Sequence, residues 1–186
     1  CGKNPDNAAH LGHAFTYVSF DVLVRYLKYK KYKVDYLQNA TDINDSDDVL
    51  KQAVDEGRTW KEEVDYWIDH FHTQMDRVNV LRPNKYVLAT QVIEKIIDIN
   101  SILIEKGYAY EKKGNVYFET AKFAKYGELS RFTSEQMLLI SKERGNNVTD
   151  SNKKNPLDFV LWSNVNQDPS WKSPWGKGRP GWHIEC

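Results

Sequence analysis

The chain has 186 residues, with 26 basic and 26 acidic side chains that leave no formal net charge at pH 7. This length suits one domain, or one domain that carries a smaller insert. The balanced charge argues against a dedicated basic nucleic-acid module, although it is compatible with a local basic face, and 40% apolar residues is ordinary globular composition. No apolar run approaches the roughly 20 residues that a membrane helix needs, so we expect no membrane partner.

The beginning of the chain predicts a loop, a helix and a strand. Residues 1–13 are predicted to form a loop, the helical spacing of apolar residues predicts a helix over 14–32, and alternation over 33–38 predicts a short strand. This order is typical of the second half of a βαβ unit, in which the loop carries a ligand site.

The rest of the chain changes character near residue 105. Helices are predicted over 48–56, from Thr59 onward with Glu62 in capping-box position, and over 87–106. Beyond them we predict a hairpin over 108–119, a helix over 134–143, a buried strand over 159–162 and an aromatic loop over 168–182. We therefore expect two parts, 1–105 and a smaller strand-containing insert, 106–186.

The sharpest local signal is His10-Leu-Gly-His13, just before the first predicted helix. Free backbone N–H groups and the positive end of the helix dipole suit a polyanion there. Gly12 removes a side chain where a phosphate or adenine must approach, and imidazoles can donate hydrogen bonds to charge that develops on phosphate oxygens. The alternative is two loop histidines without a shared task.

The two cysteines, Cys1 and Cys186, stand at the two ends of the sequence. Thiolates are ligands that zinc prefers, and His183 is close enough in sequence to assist. Spacing alone favours the alternative, two thiols that bind nothing.

Three weaker candidates have plain structural alternatives. An acidic patch of Asp42, Asp45, Asp47 and Asp48 could bind Mg²⁺ or form a solvated turn. The late-loop tryptophans Trp171, Trp175 and Trp182 could wall a pocket or cover a small core. A basic stretch with Lys28, Lys30, Lys31 and Lys33 could contact RNA or form a solvated helix face.

Taken together, these features resemble the catalytic domain of cysteinyl-tRNA synthetases, which are class I aminoacyl-tRNA synthetases. His10-Leu-Gly-His13 matches the class I "HIGH" signature, and the resemblance runs through the whole chain in order. The other matching segments are Cys1-Gly2, Asn39-Ala-Thr-Asp-Ile43, Tyr126-Gly-Glu-Leu-Ser-Arg131, Asn155-Pro-Leu-Asp-Phe-Val-Leu-Trp162 and the block over 170–186.

The resemblance implies a Rossmann-like α/β fold whose first half is residues 1–105, followed by a small α+β connective insert over 106–186. It implies that cysteine and ATP, with Mg²⁺, give cysteinyl-adenylate and pyrophosphate, and that the cysteinyl group then passes to tRNA(Cys). The enzyme would be a cytoplasmic monomer. His10 and His13 would be catalytic and, with Gly12, bind ATP; Gly2, Asn4, Thr41 and Trp182 would bind the amino acid; Cys1 and Cys186 would hold Zn²⁺.

The sequence also departs from the family. Asn4, Asp6 and Asn7 stand where the family has Thr, Tyr and Asp, which alters the wall beside the substrate, and Asn44 replaces a usual Asp. The family's remaining zinc ligands and its "KMSKS" loop would lie beyond Cys186. We therefore expect a piece of a longer protein that is inactive when isolated.

Two further interpretations stay open. One is the related ligase of mycothiol synthesis, which joins cysteine to an aminosugar, and which Pro5 and Tyr86-Val-Leu-Ala-Thr90 favour. The other is a catalytically inactive paralogue that binds nucleotide or RNA, and which Asn4 and Asp6 motivate.

Overall fold

A computed structural model describes residues 2–43 and 48–185. These residues form two compact units, the first extending to Gln91 and the second covering Val92–Glu185. No helix among the described residues combines the length and the apolar character that crossing a membrane requires.

The first unit is built around a short parallel sheet. Strands β1 and β2 pair in register from Leu37↔Lys85 to Ala40↔Leu88, and Lys3 forms a further parallel bridge with Ala40. Parallel neighbours need a long crossover, and two helices supply it here. The elements are α1 (Leu11–Tyr29), β1 (Leu37–Ala40), α2 (Asp48–Asp55), α3 (Trp60–Arg77) and β2 (Lys85–Leu88).

Helix α3 begins with the predicted capping box and packs against α1. The Thr59 hydroxyl accepts a hydrogen bond from the backbone N–H of Glu62, whose carboxylate accepts one from the backbone N–H of Thr59. Phe71 and Met75 are buried, and Tyr17 of α1 packs edge-on against Phe71 with 4.9 Å between ring centroids. These contacts hold the first half of α1 against α3.

The second unit is a helix on a five-stranded antiparallel sheet. Its strand order is β3-β4-β5-β7-β6, and its core includes Ile93, Val116, Leu161 and Trp162. The elements are α4 (Ile93–Glu105), β3 (Ala109–Lys112), β4 (Asn115–Phe118), α5 (Ser134–Glu143), β5 (Phe159–Asn164), β6 (Trp171–Ser173) and β7 (Gly176–Pro180).

The predicted α/β class, the hairpin, the 134–143 helix and the buried strand near 159 are confirmed. The prediction of one helix over 87–106 is wrong at its start. Residues up to Leu88 form β2 against β1, Ala89–Val92 form a 3₁₀ turn, and α4 begins only at Ile93. Tyr, Val and Leu in that segment suit a strand, and the pairing with β1 satisfies their backbone groups.

Two other expectations of secondary structure change. The first strand lies at Leu37–Ala40 rather than over 33–38, and the loop over 168–182 contains β6 and β7. The compact units divide between Gln91 and Val92, whereas the sequence predicts a boundary near 105. Helix α4 falls in the second unit because Ile93 packs in its core and the Asn100 side-chain amide donates to the carbonyl of Leu161 at 3.2 Å.

Candidate functional site

The beginning of α1 is closed by the two histidines. His10 is the N-cap, and its Nδ1 accepts a hydrogen bond from the backbone N–H of Gly12 at 3.1 Å. In return, Nδ1 of His13 accepts from the backbone N–H of His10 at 3.3 Å. The two rings stack with 3.9 Å between centroids. The helix therefore begins at Leu11, earlier than predicted, because the histidines themselves cap it.

These hydrogen bonds determine which nitrogen of each imidazole ring carries the proton. A neutral imidazole carries its proton on one nitrogen, so a ring that accepts through Nδ1 carries it on Nε2. Both histidines consequently hold an Nε2–H donor at the positive end of a 19-residue helix. Two such donors beside a helix N-terminus can bind phosphate oxygens and stabilise charge that develops on them. The structure places the two side chains together at the beginning of α1, and their role in catalysis stays a prediction.

The loop before α1 sets the charge around His13. Burial lowers the pKa of His13, and the nearby His10 and Lys3 lower it further, while Asp6 opposes them. His13 is therefore a neutral donor at physiological pH. The Lys3 side chain is 4% exposed, and its Nζ donates to the carbonyls of Asn4 at 2.7 Å and Asn7 at 2.6 Å and lies 3.9 Å from Asp6.

Four residues line one face of the sheet beside this loop. Because Lys3 bridges Ala40, Gly2 lies beside Asn39 and Asn4 beside Thr41, all on the sheet face opposite Ala40. A Cβ on Gly2 would come within 2.1 Å of the Asn39 carbonyl oxygen, so only glycine fits there. The structure thus brings together Gly2, Asn4 and Thr41, three of the four residues predicted to bind the amino acid.

This sheet face carries polar atoms that lack a protein partner. Among the residues described, Oδ1 of Asn4, Nδ2 of Asn39 and Oγ1 of Thr41 are buried without a hydrogen bond, and Thr41 is fully buried. Leaving such an atom unsatisfied costs about 1–3 kcal/mol, and native structures contain few of them. A small ligand with both donor and acceptor groups would satisfy all three.

Sequence reasoning missed two residues that support this face. In the sequence Asn39 is only part of a family motif, and its amide becomes a site group through its register with Gly2. Asp42 was a possible metal ligand, but its carboxylate accepts from the Thr90 backbone N–H at 3.1 Å and hydroxyl at 2.7 Å. Burial raises the pKa of Asp42, and those hydrogen bonds oppose the rise. Asp42 therefore links the end of β1 to the residues after β2.

The tryptophan candidates lie in the second unit, and several further candidates lie outside the described residues. Trp182 lies in the second unit, in the 3₁₀ turn Trp182–Glu185, with 40% of its surface exposed. Trp171 and Trp175 pack against the core of the second unit, which favours the structural alternative for them. Cys1, Cys186, Asn44, Asp45 and Asp47 lie outside the described residues. Within 2–43 and 48–185, no three His, Cys, Asp or Glu side chains cluster as metal ligands would.

A comparison with protein families identifies the family of the chain. The model of the tRNA synthetases class I (C) catalytic domain matches residues 1–186, the whole of this sequence. The capped histidine pair, the parallel strands and the separate antiparallel sheet are consistent with such a domain. The chain therefore belongs to the family of class I (C) tRNA synthetase catalytic domains, which indicates an aminoacyl-tRNA ligase with ATP and tRNA as its partners.

Proposed function

We propose that this domain activates cysteine with ATP and passes it to tRNA(Cys), as part of a monomeric cytoplasmic enzyme. The observation that carries the activation step is the reciprocal cap of His10 and His13, which holds two Nε2–H donors at one helix N-terminus. The specificity for cysteine is supported by the resemblance of the sequence, above all by Cys1-Gly2 and the block that ends at Cys186.

The first step joins the amino acid to AMP. A carboxylate oxygen of cysteine attacks the α-phosphorus of ATP, the new C–O–P bond forms, and the bond to the pyrophosphate oxygen breaks. Negative charge develops on the phosphate oxygens, where the Nε2–H groups of His10 and His13 can donate without a change of protonation. Gly12, one residue into the helix, leaves room for the nucleotide.

The second step transfers the amino acid to tRNA. A ribose hydroxyl at the tRNA 3′ end attacks the carbonyl carbon of the adenylate, and AMP leaves with the electron pair of the broken C–O bond. In this proposal Asn4, Asn39 and Thr41 hold the polar groups of the amino acid through both steps. Their unpartnered oxygen and nitrogen atoms fit the carboxylate and amino groups of a free amino acid.

The decisive experiment is ATP–pyrophosphate exchange by the natural protein that carries this sequence, with cysteine and, separately, with serine. We expect exchange with cysteine and none above background with serine, since serine lacks the thiol. Transfer of labelled cysteine to tRNA, compared with transfer to an aminosugar acceptor, then identifies the second substrate. No exchange by a folded, nucleotide-binding sample would favour an inactive nucleotide-binding module.

Zinc is the cofactor that the two cysteines suit. Two thiolates are a donor set that zinc binds well and Mg²⁺ does not. Cys1 and Cys186 would hold the ion, and zinc bound in this way supplies a position that a substrate thiolate can occupy, which excludes serine.

Replacement of Cys186 with serine is expected to reduce the zinc content of the purified natural protein from about one ion per chain to a small fraction of that. Mass spectrometry of the metal after dialysis measures this without reference to activity. His70→Asn is the control, because the His70 ring packs beside Tyr66 and Trp67 on α3 and its replacement should leave the zinc content unchanged. Full occupancy in the serine variant would mean that Cys186 is not a ligand.

A further inference from the structure

The C-terminal end of α1 carries a surface that the proposed catalytic role does not use. We define the lysine–tyrosine patch as residues 28–33, in which Lys28, Lys30, Lys31 and Lys33 alternate with two tyrosines. All four lysines are exposed, and Tyr29 and Tyr32 are 78% and 64% exposed. The balanced charge of the whole chain therefore conceals a local run of four cations and two accessible aromatic rings.

The backbone of the patch is ordered. Lys30 caps α1, the N–H of Lys31 donates to the carbonyl of Lys28 at 2.9 Å, and the N–H of Tyr32 donates to the carbonyl of Leu27 at 3.0 Å. This pair of bonds is a Schellman closure, which usually carries glycine at the position of Lys31. Lys31 has a φ of 67°, in the left-handed region that favours glycine.

The positive charge of the patch is not neutralised by neighbours. Within the described ranges, none of its four lysines forms an ion pair with a carboxylate. The nearby Arg25 differs, since it pairs with Asp21 at 2.6 Å. Four uncompensated cations within six residues create a positive potential that attracts a polyanion.

We propose that the lysine–tyrosine patch binds single-stranded RNA, with phosphates at the lysines and unpaired bases stacked on Tyr29 and Tyr32. Exposed aromatic rings between cations are the arrangement by which proteins hold single strands without reading sequence. A duplex would use the lysines but not the rings, because its bases are already stacked. The site lies at the far end of α1 from His10, about 27 Å away at 1.5 Å per residue.

A simpler explanation is that lysines near a helix C-terminus stabilise its dipole. That effect is confined to the last turn of a helix and is met by one or two cations, so it accounts for Lys28 and Lys30. It does not account for the two tyrosine rings, which lie mostly in solvent. Nor does it account for lysine at position 31, where the left-handed backbone conformation would cost glycine less free energy. RNA binding explains both features.

The test measures fluorescence anisotropy of a labelled oligouridylate of about 12 nucleotides with the 186-residue chain, without ATP or cysteine, over a range of salt concentrations. For the triple variant Lys30→Gln, Lys31→Gln and Lys33→Gln, we expect the slope of log affinity against log salt to fall by about 2, at roughly 0.7 per phosphate contact. Tyr29→Leu and Tyr32→Leu should each weaken binding at least about fivefold.

The control removes the same charge elsewhere in the first unit. Lys51, Lys61 and Arg77 are exposed, and their replacement with glutamine should leave the slope within about 0.5 of the unchanged chain. Equal slopes in the two triple variants, or equal affinity for a duplex of the same length, would overturn the proposal. Binding to anionic vesicles but not to RNA would do so as well, and would identify a membrane surface.

The variant Lys31→Gly tests RNA binding and thermal stability separately. Glycine relieves the left-handed strain, so this variant should melt at a higher temperature than the unchanged chain and yet bind the oligonucleotide more weakly. Higher stability with undiminished binding would contradict a contact at Lys31. Because the assay contains neither ATP nor cysteine, its result is independent of whether the proposed adenylation is correct.

Discussion

Replacement of His10 or His13 with alanine is expected to slow adenylate formation by roughly 30- to 1,000-fold, or about 2–4 kcal/mol in the barrier, which is typical of one lost transition-state donor. Each ring uses Nδ1 to cap the helix and so keeps its proton on Nε2. Alanine removes both functions at once. ATP–pyrophosphate exchange by the natural protein that carries this sequence measures the effect.

Two conservative variants separate the cap from the donor. Asparagine at position 10 retains an acceptor near the place of Nδ1, so we expect normal thermal stability with a reduced exchange rate. Glutamine at position 13 retains an N–H near the place of Nε2, so His13→Gln should lose less activity than His13→Ala. If His10→Asn retained both normal stability and full exchange, the ring of His10 would serve only as a helix cap.

The parts of the fold that the sequence predicts well depend on local interactions. The Thr59 capping box, the hairpin around Gly114 and helix α5 each form between residues close together in the chain. His10 and His13 belong to the same group, because residues three apart meet at a helix N-terminus. Spacing and residue type are enough to predict such features.

The features that the sequence does not predict depend on register between distant segments. Asn39 becomes a site residue only because Lys3 pairs with Ala40, and Asp42 is satisfied by Thr90, 48 positions later. The residues up to Leu88 contain apolar side chains that fit a helix or a strand, and pairing with β1 decides between the two. No local pattern specifies which strands become neighbours.

One buried carboxylate in the second unit accepts several hydrogen bonds, so its removal should have a large effect on stability. Asp158 is fully buried, and its two oxygens accept four hydrogen bonds. The Tyr110 hydroxyl donates at 2.8 Å, the Asn155 N–H at 3.0 Å, the Thr120 N–H at 2.9 Å and the Thr120 hydroxyl at 3.0 Å. Burial, followed by the bond to Asp158, raises the pKa of Tyr110. One side chain thus joins β3, the segment that follows β4 and the segment that precedes β5.

Replacement of Asp158 with alanine is expected to destabilise the second unit by about 3–5 kcal/mol, because four donors, three of them buried, lose their acceptor together and each unsatisfied buried group costs roughly 1–3 kcal/mol before relaxation. Hydrogen exchange of the β4 and β5 amides measures this locally. Asp98→Ala, at an exposed position of α4, should change the free energy of opening that hydrogen exchange reports by no more than about 0.5 kcal/mol. If the alanine variant is too unstable to purify, Tyr110→Phe removes one donor and should cost about 1–2 kcal/mol. Protection as strong in Asp158→Ala as in Asp98→Ala would show that this network does not hold the sheet together.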